Sequence, residues 1–508
     1  MEIQFGTETE IGITRDRPEG LDVVAESIAL VRSATAPGVR HCWDYRLEDP
    51  HRDMRGFSVE ELRQDTDESD YFALDAQRNL TFHEIKSDLV LRNGARFYND
   101  HAHPEYCTPE CSTLLEILQQ DYAGDVLLAS CAQTMNQDEK DTNPVRLYKN
   151  NTDFLGHSYG CHENYLMPRR LSWDTLSQGI VAFFVTRQIL CGSGKYGWEE
   201  EDRFLRPGFQ ISQRSDFFTE MQSVDTMQRR PLVNTRDEPH ANAEVYRRFH
   251  VIIGDANLSL YSGYLKIGTT ALVLQAMLNG APLERIPKVE DPLRTLKQIS
   301  RDLTWKWECR TADGRLTTGL EIQRHYLQLV REFCPNLPPD WQKVAADWET
   351  VLNDLERDPL STADRLDWTA KYQLIERFRE AEGLSADDPW LQSLDLAYHL
   401  LDREQGLFFG LMDQKALRLP YPMEDICHGR LTPPMTTRAA VRGLCIERFG
   451  ASVELTQWDH VTLRAGDKRL ELDLRNLFDP QLIRQSLKVI NSAQTVDDLR
   501  YLSFAKLV

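Results

Sequence analysis

The alternation of side chains near the N-terminus predicts the clearest single element of the chain, a β-strand. Apolar residues and threonines occupy the odd positions from 3 to 11, and polar residues or glycine occupy the even positions between them. A two-residue period is typical of a strand with one buried face. Glu8 and Glu10 lie two residues apart, so we expect both carboxylates to project from the opposite, polar face.

Apolar side chains that recur at helical spacing predict helices further along the chain. This pattern covers residues 114–135, with an interruption expected near Gly124, and residues 341–357 and 390–402. The apolar face of residues 341–357 is the kind that packs against a protein core. We therefore expect these helices to have a structural role.

The stretch from 44 to 75 differs from its surroundings, because acidic residues dominate it and it shows little periodicity. We interpret it as a long surface loop. Residues 43–45 and 52–57 are expected to dock on the protein, whereas the acidic middle is expected to stay mobile. An idle, solvated linker and a gate over a functional site both fit this pattern.

The last part of the chain predicts a small separate unit. A Pro-Pro pair at 433–434 marks a linker, and a helix capped by Thr436 or Thr437 follows. Apolar alternation on both sides of a tight turn predicts a hairpin over 461–474, and a final helix is expected from Asp479.

Composition narrows the function classes. The chain has 508 residues, of which 41% are hydrophobic, and this is enough apolar material for a sizeable core. The net charge of −20 opposes binding to nucleic acid or to an anionic membrane. The sequence has no long apolar run and no apparent signal peptide, and its ten cysteines form no CxxC pair. We therefore expect a cytoplasmic protein with free thiols.

The acidic strand has neighbours whose chemistry suggests a metal–nucleotide site. Arg96, Tyr98 and Asp100 share one face of a second predicted strand, and Glu105 follows closely. Carboxylates with one or two histidines suit Mg²⁺ or Mn²⁺, and arginines among them suit phosphate oxygens. The residue types predict a Mg-ATP site on an acidic, curved antiparallel sheet, and a solvated sheet edge is the alternative.

Two other motifs are weaker. The stretch Gly192–Lys195 is similar to the end of a phosphate-binding loop, but the first glycine is missing and Tyr196 replaces the usual serine or threonine. Cys107 and Cys111 flank the acidic strand and are expected to be buried structural thiols.

Several long motifs resemble those of the pupylation enzymes, the ligase and the deamidase/depupylase that act on the ubiquitin-like protein Pup. The motifs are GTETEIGI, LRNGARFYNDHAHPEY, LYKNNTD, SYGCHENYLM, VNTRDEPHANAEVYRRFHVIIGDANLS and LKIGTTALVL. The resemblance implies an α+β fold. A large glutamine synthetase-like domain, with a curved antiparallel sheet backed by helices, would cover 1–432 and carry an inserted loop at about 44–88. A small C-terminal α/β domain would cover 433–508 and contribute to the nucleotide site.

Two features are similar to the deamidase/depupylase branch of the family. The segment from Asp100 to Glu105 is one residue shorter than its counterpart in the ligases, and the loop at 44–88 resembles an insertion that depupylases carry and ligases lack. The insertion is somewhat longer than expected. Ile11 also replaces a usual aromatic residue.

The resemblance implies roles for individual residues. Asp100 is the implied catalytic residue. The implied Mg²⁺ ligands are Glu8, Tyr98 and Glu105, with Glu10, His162 and His240 as further candidates. The implied nucleotide contacts are Arg96, Thr108 and Trp458, and Arg236 is a candidate for holding phosphate or the terminal carboxylate of Pup.

These roles imply hydrolysis of an amide at the C-terminal side chain of Pup, with ATP and Mg²⁺ as cofactors and with Pup and pupylated proteins as partners. Asp100 would attack the carbonyl or activate water. The resemblance also implies a link to the bacterial proteasome system. The alternatives are a Pup–protein ligase that works through a glutamyl phosphate and an inactive Pup-binding adaptor.

Overall fold

A computed structural model describes residues 3–63, 77–137, 142–199 and 208–508. The middle of the predicted 44–88 loop, residues 64–76, lies outside the described residues. Its predicted mobility therefore stays a prediction.

The strands fall into one large sheet, a C-terminal sheet and several short pairs. In chain order they are β1 (Phe5–Glu10), β2 (Gly12–Arg15), β3 (Gly38–Arg40), β4 (Leu89–Leu91), β5 (Arg96–Asp100), β6 (His103–Cys107), β7 (Val145–Tyr148), β8 (Cys161–Pro168), β9 (Lys195–Tyr196), β10 (Phe209–Gln210), β11 (Phe218–Ser223), β12 (Arg230–Asn234), β13 (Tyr246–Val251), β14 (Glu308–Arg310), β15 (Leu316–Thr318), β16 (Val453–Gln457), β17 (His460–Ala465), β18 (Lys468–Asp473) and β19 (Ala505–Leu507).

The α-helices surround these sheets. They are α1 (Val23–Ser33), α2 (Phe82–Lys86), α3 (Leu114–Met135), α4 (Trp173–Gly179), α5 (Val181–Thr186), α6 (Gln188–Cys191), α7 (Leu260–Leu278), α8 (Pro292–Arg301), α9 (Gly319–Phe333), α10 (Pro339–Arg357), α11 (Asp367–Glu382), α12 (Pro389–Tyr398), α13 (Leu407–Asp413), α14 (Met423–Gly429), α15 (Arg438–Phe449) and α16 (Pro480–Ser492). No helix in the described ranges combines the length and the apolar character that crossing a bilayer requires.

The large sheet has seven strands in the order β13-β8-β1-β6-β5-β4-β3, and every neighbouring pair is antiparallel. The predicted N-terminal strand is therefore an interior strand, between β8 and β6. Phe5, Thr7 and Thr9 are buried, while Glu8 and Glu10 are half-buried on the other face. The prediction of an α+β fold with an antiparallel sheet is confirmed.

Helices cover the apolar face of the sheet. Phe5 of β1, Tyr165 of β8 and Phe249 of β13 belong to one hydrophobic core together with residues of α3, α7, α9 and α10. Nearly every residue of α7 is buried, as expected for a helix packed on all sides. Because helices occupy one face, the functional side chains can only lie on the other.

Of the three predicted helices, one ends earlier than expected and another lacks the expected interruption. Residues 341–357 lie within α10 as predicted, but α12 ends at Tyr398, because Leu400 forms a bridge with Tyr148 instead of continuing the helix. The helix α3 runs without a break through Gly124. A Cβ there would lie 2.5 Å from the Tyr106 ring, so the glycine allows close packing and does not interrupt the helix.

The C-terminal part forms a four-stranded antiparallel sheet, β16-β17-β18-β19, with its own hydrophobic core. The predicted elements are confirmed: Thr437 caps α15, the β17–β18 hairpin turns at Gly466, and Asp479 caps α16. A domain boundary at 432/433 stays a prediction.

The two ends of the 44–88 segment that were expected to dock do so. The backbone of Asp44 donates to Thr456 of β16 at 2.9 Å, and the Thr456 N–H donates to Cys42 at 2.7 Å. Further on, the Met54 N–H donates to the Thr235 carbonyl at 2.8 Å, and the Thr235 hydroxyl donates to Asp53 at 2.6 Å. The segment therefore connects the C-terminal sheet to the backbone that directly follows β12.

The end of the segment contains a helix that the loop interpretation missed. Thr81 and Glu84 form a reciprocal capping box at the start of α2, and this motif stabilises a helix of only five residues.

The expectations for the thiols and for the stretch that is similar to a phosphate loop agree with the structure. All ten cysteines are free and all except Cys427 are buried, and Lys195 pairs with Glu199 and Asp216 inside the protein.

Candidate functional site

Five neighbouring strands present polar side chains on the exposed face of the large sheet. The register sets Glu8 of β1 opposite His162 of β8, and Glu10 opposite Glu105 of β6. Tyr98 of β5 lies opposite Glu105 in the next pair. The side chains of residues that lie opposite each other on two neighbouring strands are on the same face of the sheet. The antiparallel register therefore brings together residues that are far apart in the sequence.

One group of side chains, the Glu8 cluster, comprises Glu8, His162 and His250, whose potential ligand atoms all lie within 4.8 Å of one another. The Glu8 carboxylate lies 3.2 Å from Nδ1 of His162, and 3.3 Å from Nη1 of Arg248. Burial alone would raise the pKa of Glu8, but its contacts with the two histidines and Arg248 outweigh it and hold that pKa well below the usual range. Glu8 is therefore ionised near neutral pH.

His250 is the unusual member of the Glu8 cluster. Its ring is buried; Nε2 lies 3.6 Å from the Glu8 carboxylate, and Nδ1 has no hydrogen-bond partner among the described residues. Burial and then the charge of Arg248 lower the pKa of His250 well below its ordinary value. A neutral, buried imidazole has a lone pair available for a cation.

A second group, the Glu105 cluster, comprises Glu10, Asp100 and Glu105, whose oxygens also lie within 4.8 Å of one another. Tyr98 donates its hydroxyl to one oxygen of Glu105 at 3.1 Å, and Cys107 donates its thiol to the other at 3.1 Å. Burial and then the neighbouring carboxylates, Asp100 first, raise the pKa of Glu105 well above its usual range. The three carboxylates lie so close together that burial and their mutual repulsion disfavour the ionised form of Glu105.

Asp100 ends β5 at the edge of this group. Its Oδ1 lies 2.8 Å from the ammonium of Lys86, and its Oδ2 lies 3.3 Å from Nδ1 of His101. Burial would raise the pKa of Asp100, but Lys86 and His101 outweigh it and hold that pKa well below the usual range. The side chain is 23% exposed, so an ionised carboxylate is accessible to a substrate.

An open pocket adjoins the Glu8 cluster, and its empty space of about 580 Å³ includes open solvent. Glu8, Thr108, Asn164, His240, Arg248 and Trp458 all line it. The lining combines apolar surface with a carboxylate, an amide and cationic groups. A ligand with an aromatic part and a charged part would match it.

The C-terminal sheet contributes Trp458 to this pocket through a fixed contact. Glu110 accepts from Arg438 at 2.7 Å and from Arg442 at 2.6 Å, and Arg442 also contacts the Trp458 carbonyl at 2.9 Å. Burial opposes ionisation of Glu110, but Arg442 and Arg438 lower its pKa to about 2. A buried charge network therefore holds the tryptophan at the edge of the large sheet.

Two predicted residues have contacts other than those expected. Arg96 does not line the pocket; its guanidinium pairs with Asp88 at 2.7 Å and lies over the rings of Trp43 and Tyr98 at 4.1 and 3.6 Å. These contacts tie Arg96 to the 44–88 segment, and its predicted nucleotide contact stays a prediction. Burial and then Asp100 raise the pKa of Tyr98 well above its usual range, so its phenol donates to Glu105.

The predictions for Arg236 and His240 also need refinement. His240 lines the pocket but belongs to neither carboxylate cluster, so the geometry gives it no shared metal position. Arg236 is partly buried, and its Nε has no hydrogen-bond partner among the described residues, as expected for a group that awaits an anion.

Sequence reasoning missed three polar residues of this face. Asn164 donates to Glu8 at 2.9 Å, Arg248 lies at the same carboxylate, and His250 completes the cluster. The alternation of Arg248 and His250 along β13 was a signal that could have found them, because both share one strand face.

The donor set fits divalent cations. The Nδ1 of buried His250, which has no partner among the described residues, and the raised pKa of Glu105 are the two observations that indicate missing positive charge. Carboxylate oxygens with imidazole nitrogen suit Mg²⁺ or Mn²⁺ in the presence of phosphate oxygens.

Comparisons with known proteins agree with this geometry. The Pup deamidase/depupylase of Mycobacterium tuberculosis is 38% identical over 477 residues, which cover 92% of this chain and 92% of the relative. The Pup–protein ligase of a Nocardioides species is 40% identical over 370 residues, which cover 71% of this chain and 81% of the ligase.

Solved structures of the ligase PafA are also similar. PafA in complex with Pup has a TM-score of 0.76 and 29% identity, and covers 96% of this chain and 91% of its own. PafA in complex with ADP has a TM-score of 0.72 and 30% identity, and covers 86% of this chain and 95% of its own. Residues 4–462 match the family model described as Pup-ligase protein. The chain belongs to the Pup-ligase protein family.

Proposed function

We propose that this protein is a Pup deamidase/depupylase, a hydrolase that acts at the side-chain carbonyl of the C-terminal residue of Pup. The bond is the primary amide of a terminal glutamine or the isopeptide to a substrate lysine. The observation that carries the proposal is an ionised, accessible Asp100 on the sheet face that holds the Glu8 cluster and the Glu105 cluster, whose side chains could bind cations.

The branch of the family follows from the extent of the similarity. The depupylase relative aligns over 92% of this chain and the ligase relative over 71%, although their identities are close. The 44–88 segment docks on the backbone after β12 and against the C-terminal sheet. Its resemblance to the insertion of the depupylases also favours that branch. Pup and pupylated proteins are therefore the partners, in a cytoplasmic setting linked to the bacterial proteasome system.

The pocket beside Glu8 is the nucleotide site in this proposal. Its lining includes an aromatic ring, that of Trp458, and the polar groups of Arg248 and Asn164, which suits a ligand with a base and phosphates. PafA in complex with ADP supports a nucleotide on this fold. The site would be shared by a catalytic domain over 1–432 and a small domain over 433–508.

Mg²⁺ would be held by the two carboxylate clusters. Glu8, His162 and His250 would hold one ion, and Glu10 and Glu105 a second, with the Tyr98 hydroxyl directed at Glu105. Bound Mg²⁺ would supply positive charge to phosphate oxygens and to the polarised carbonyl.

Asp100 carries the reaction step. Either its carboxylate attacks the side-chain carbonyl carbon to form an anhydride that water then hydrolyses, or it takes the proton of a water that attacks this carbon. In both routes the C–N bond breaks, and water supplies the proton that the leaving amine takes up. Both routes require an ionised carboxylate, which agrees with the lowered pKa of Asp100. Amide hydrolysis is downhill, so nucleotide serves as a bound cofactor and not as fuel.

Product analysis tests the proposal. Purified protein is incubated with ATP, Mg²⁺ and either a Pup–lysine conjugate or Pup ending in glutamine. We expect free Pup from the first and a deamidated terminus from the second. A parallel reaction contains Pup ending in glutamate and a target protein, and the accumulation of conjugates there would identify a ligase instead.

A further inference from the structure

Lys86 places an ammonium group on the carboxylate that the proposed reaction uses. It is the last residue of α2, and its Nζ lies 2.8 Å from Oδ1 of Asp100 and 5.6 Å from the centre of the Tyr98 ring. His101 lies at the other oxygen of Asp100, at 3.3 Å. Both oxygens of this carboxylate therefore have a nitrogen partner.

The other two carboxylates of the Glu105 cluster are supported differently. Glu105 receives neutral donors from Tyr98 and Cys107, and Glu10 has an imidazole of His103 at 3.6 Å. Among the described residues, Lys86 is the lysine or arginine that forms an ion pair with this cluster. The cluster thus has one fixed cation, and that cation lies on Asp100.

We propose that Lys86 is a positioning residue that keeps Asp100 out of the coordination of the divalent cation held by Glu10 and Glu105. This inference rests on the proposed function. An oxygen that ligates a cation has less electron density for attack on a carbonyl, so Asp100 must remain free although its oxygens lie within 4.8 Å of the other ligands. An ammonium is a point charge on a flexible stem, so it can hold the carboxylate and yield it to a substrate.

The short helix fixes Lys86 in this place. Arg32 donates to the Glu84 carbonyl at 2.9 Å and to the Ser87 hydroxyl at 3.2 Å, so it ties the end of α2 to α1 without touching Asp100. Arg32 is therefore a matched control, because its loss loosens the same helix and removes the same charge but leaves the Lys86–Asp100 pair in place.

Calorimetric titration of Mn²⁺ into the nucleotide-free protein tests the proposal. We expect Lys86→Met to bind Mn²⁺ about fivefold more tightly than wild type, because a competing charge is lost and Asp100 becomes a ligand. Lys86→Arg and Arg32→Met should stay within about twofold of wild type. With Asp100→Asn in the background, the gain from Lys86→Met should fall below about twofold. Lys86→Gln replaces Lys86→Met if the latter does not fold.

Kinetics supply the second readout. Lys86→Met should lower kcat for Pup release and leave KM nearly unchanged, and Lys86→Arg should restore kcat. Unchanged Mn²⁺ affinity in Lys86→Met, or an equal gain with and without Asp100, would overturn the positioning role. The titration needs no substrate, so it remains informative if wild type proves to release no Pup, a result that would contradict the proposed function alone.

Discussion

The Glu8 cluster and the Glu105 cluster lie on one sheet face but differ in their charge balance. Contacts with the two histidines and Arg248 hold the pKa of Glu8 well below its usual range, whereas burial and the neighbouring carboxylates raise the pKa of Glu105 well above it. The first cluster is compensated by the protein. The second is not: apart from histidines at Asp100 and Glu10, Lys86 at Asp100 is the cation that pairs with it among the described residues.

This difference suggests separate tasks for the two regions. The compensated cluster adjoins the pocket, which Arg248 and Asn164 line. The uncompensated cluster holds Asp100 next to carboxylates that need a cation. The account therefore places the nucleotide at Glu8 and the reaction at Asp100, and the following changes should affect the two regions separately.

The largest expected effect is that of Asp100→Asn. The variant keeps the shape of the side chain but loses the negative charge that attacks the carbonyl or water, so Pup release should fall by at least about 100-fold. Nucleotide affinity, measured by calorimetry, should stay near that of wild type. Release above a few per cent of wild type would reject Asp100 as the catalytic group.

The next effect concerns the attachment of Trp458 to the Glu8 side. Glu110→Gln leaves the buried guanidinium of Arg442 without its carboxylate, which should cost about 3 kcal/mol of stability. Because the folded-state pKa of Glu110 is lowered to about 2, this contribution is fully present above the unfolded value of about 4.3 and is lost as pH falls toward 2.

Thermal unfolding of wild type and Glu110→Gln at pH 7 and at pH 3 measures this contribution. The gap between the two melting temperatures should be wide at pH 7 and narrower at pH 3. Equal gaps would mean that the Glu110 charge does not stabilise the contact.

A smaller effect distinguishes His250, which lies in the Glu8 cluster, from His240, which the resemblance named as a candidate metal ligand. His250→Ala should weaken Mg-ATP binding by roughly 10–100-fold, because it removes a member of the Glu8 cluster. His240→Ala is the matched control, since His240 lines the same pocket outside the cluster, and it should have a clearly weaker effect. The reverse ranking would return the metal role to His240.

The smallest effect is a gain in stability. In EDTA, Glu105→Gln removes a carboxylate that its neighbours destabilise, so the variant should melt at a slightly higher temperature than wild type. Added Mg²⁺ should stabilise wild type more than the variant and reverse the order. If Mg²⁺ shifts both proteins equally, Glu105 is not part of a cation site.

Much of the fold was predictable because local patterns determine it. Alternation identified β1 and its acidic face, helical spacing identified α10, and capping and turn residues identified the C-terminal elements. Gly124 shows a limit of this approach: its effect on α3 depends on the Tyr106 ring, a contact that no local pattern contains.

The site was only partly predictable for the same reason. Spacing along the sequence predicted Glu8 and Glu10 on one strand, and Asp100 with Glu105 soon after it. The resemblance added His162. His250 reaches Glu8 only through the register of β13 on β8, and Lys86 reaches Asp100 only because α2 folds back beside β5. These contacts are non-local. The resemblance assigned Arg96 to a nucleotide, and this stays a prediction; its contact with Asp88 is a further non-local one.

One measurement tests the separation of the two regions most directly: the amount of ADP formed for each Pup released from a Pup–lysine conjugate in the presence of ATP and Mg²⁺. If nucleotide stays bound at the Glu8 cluster while Asp100 cleaves the isopeptide, Pup should be released with far less than one equivalent of ADP. One ADP for every Pup would contradict this account, because the nucleotide would then be consumed in the reaction itself.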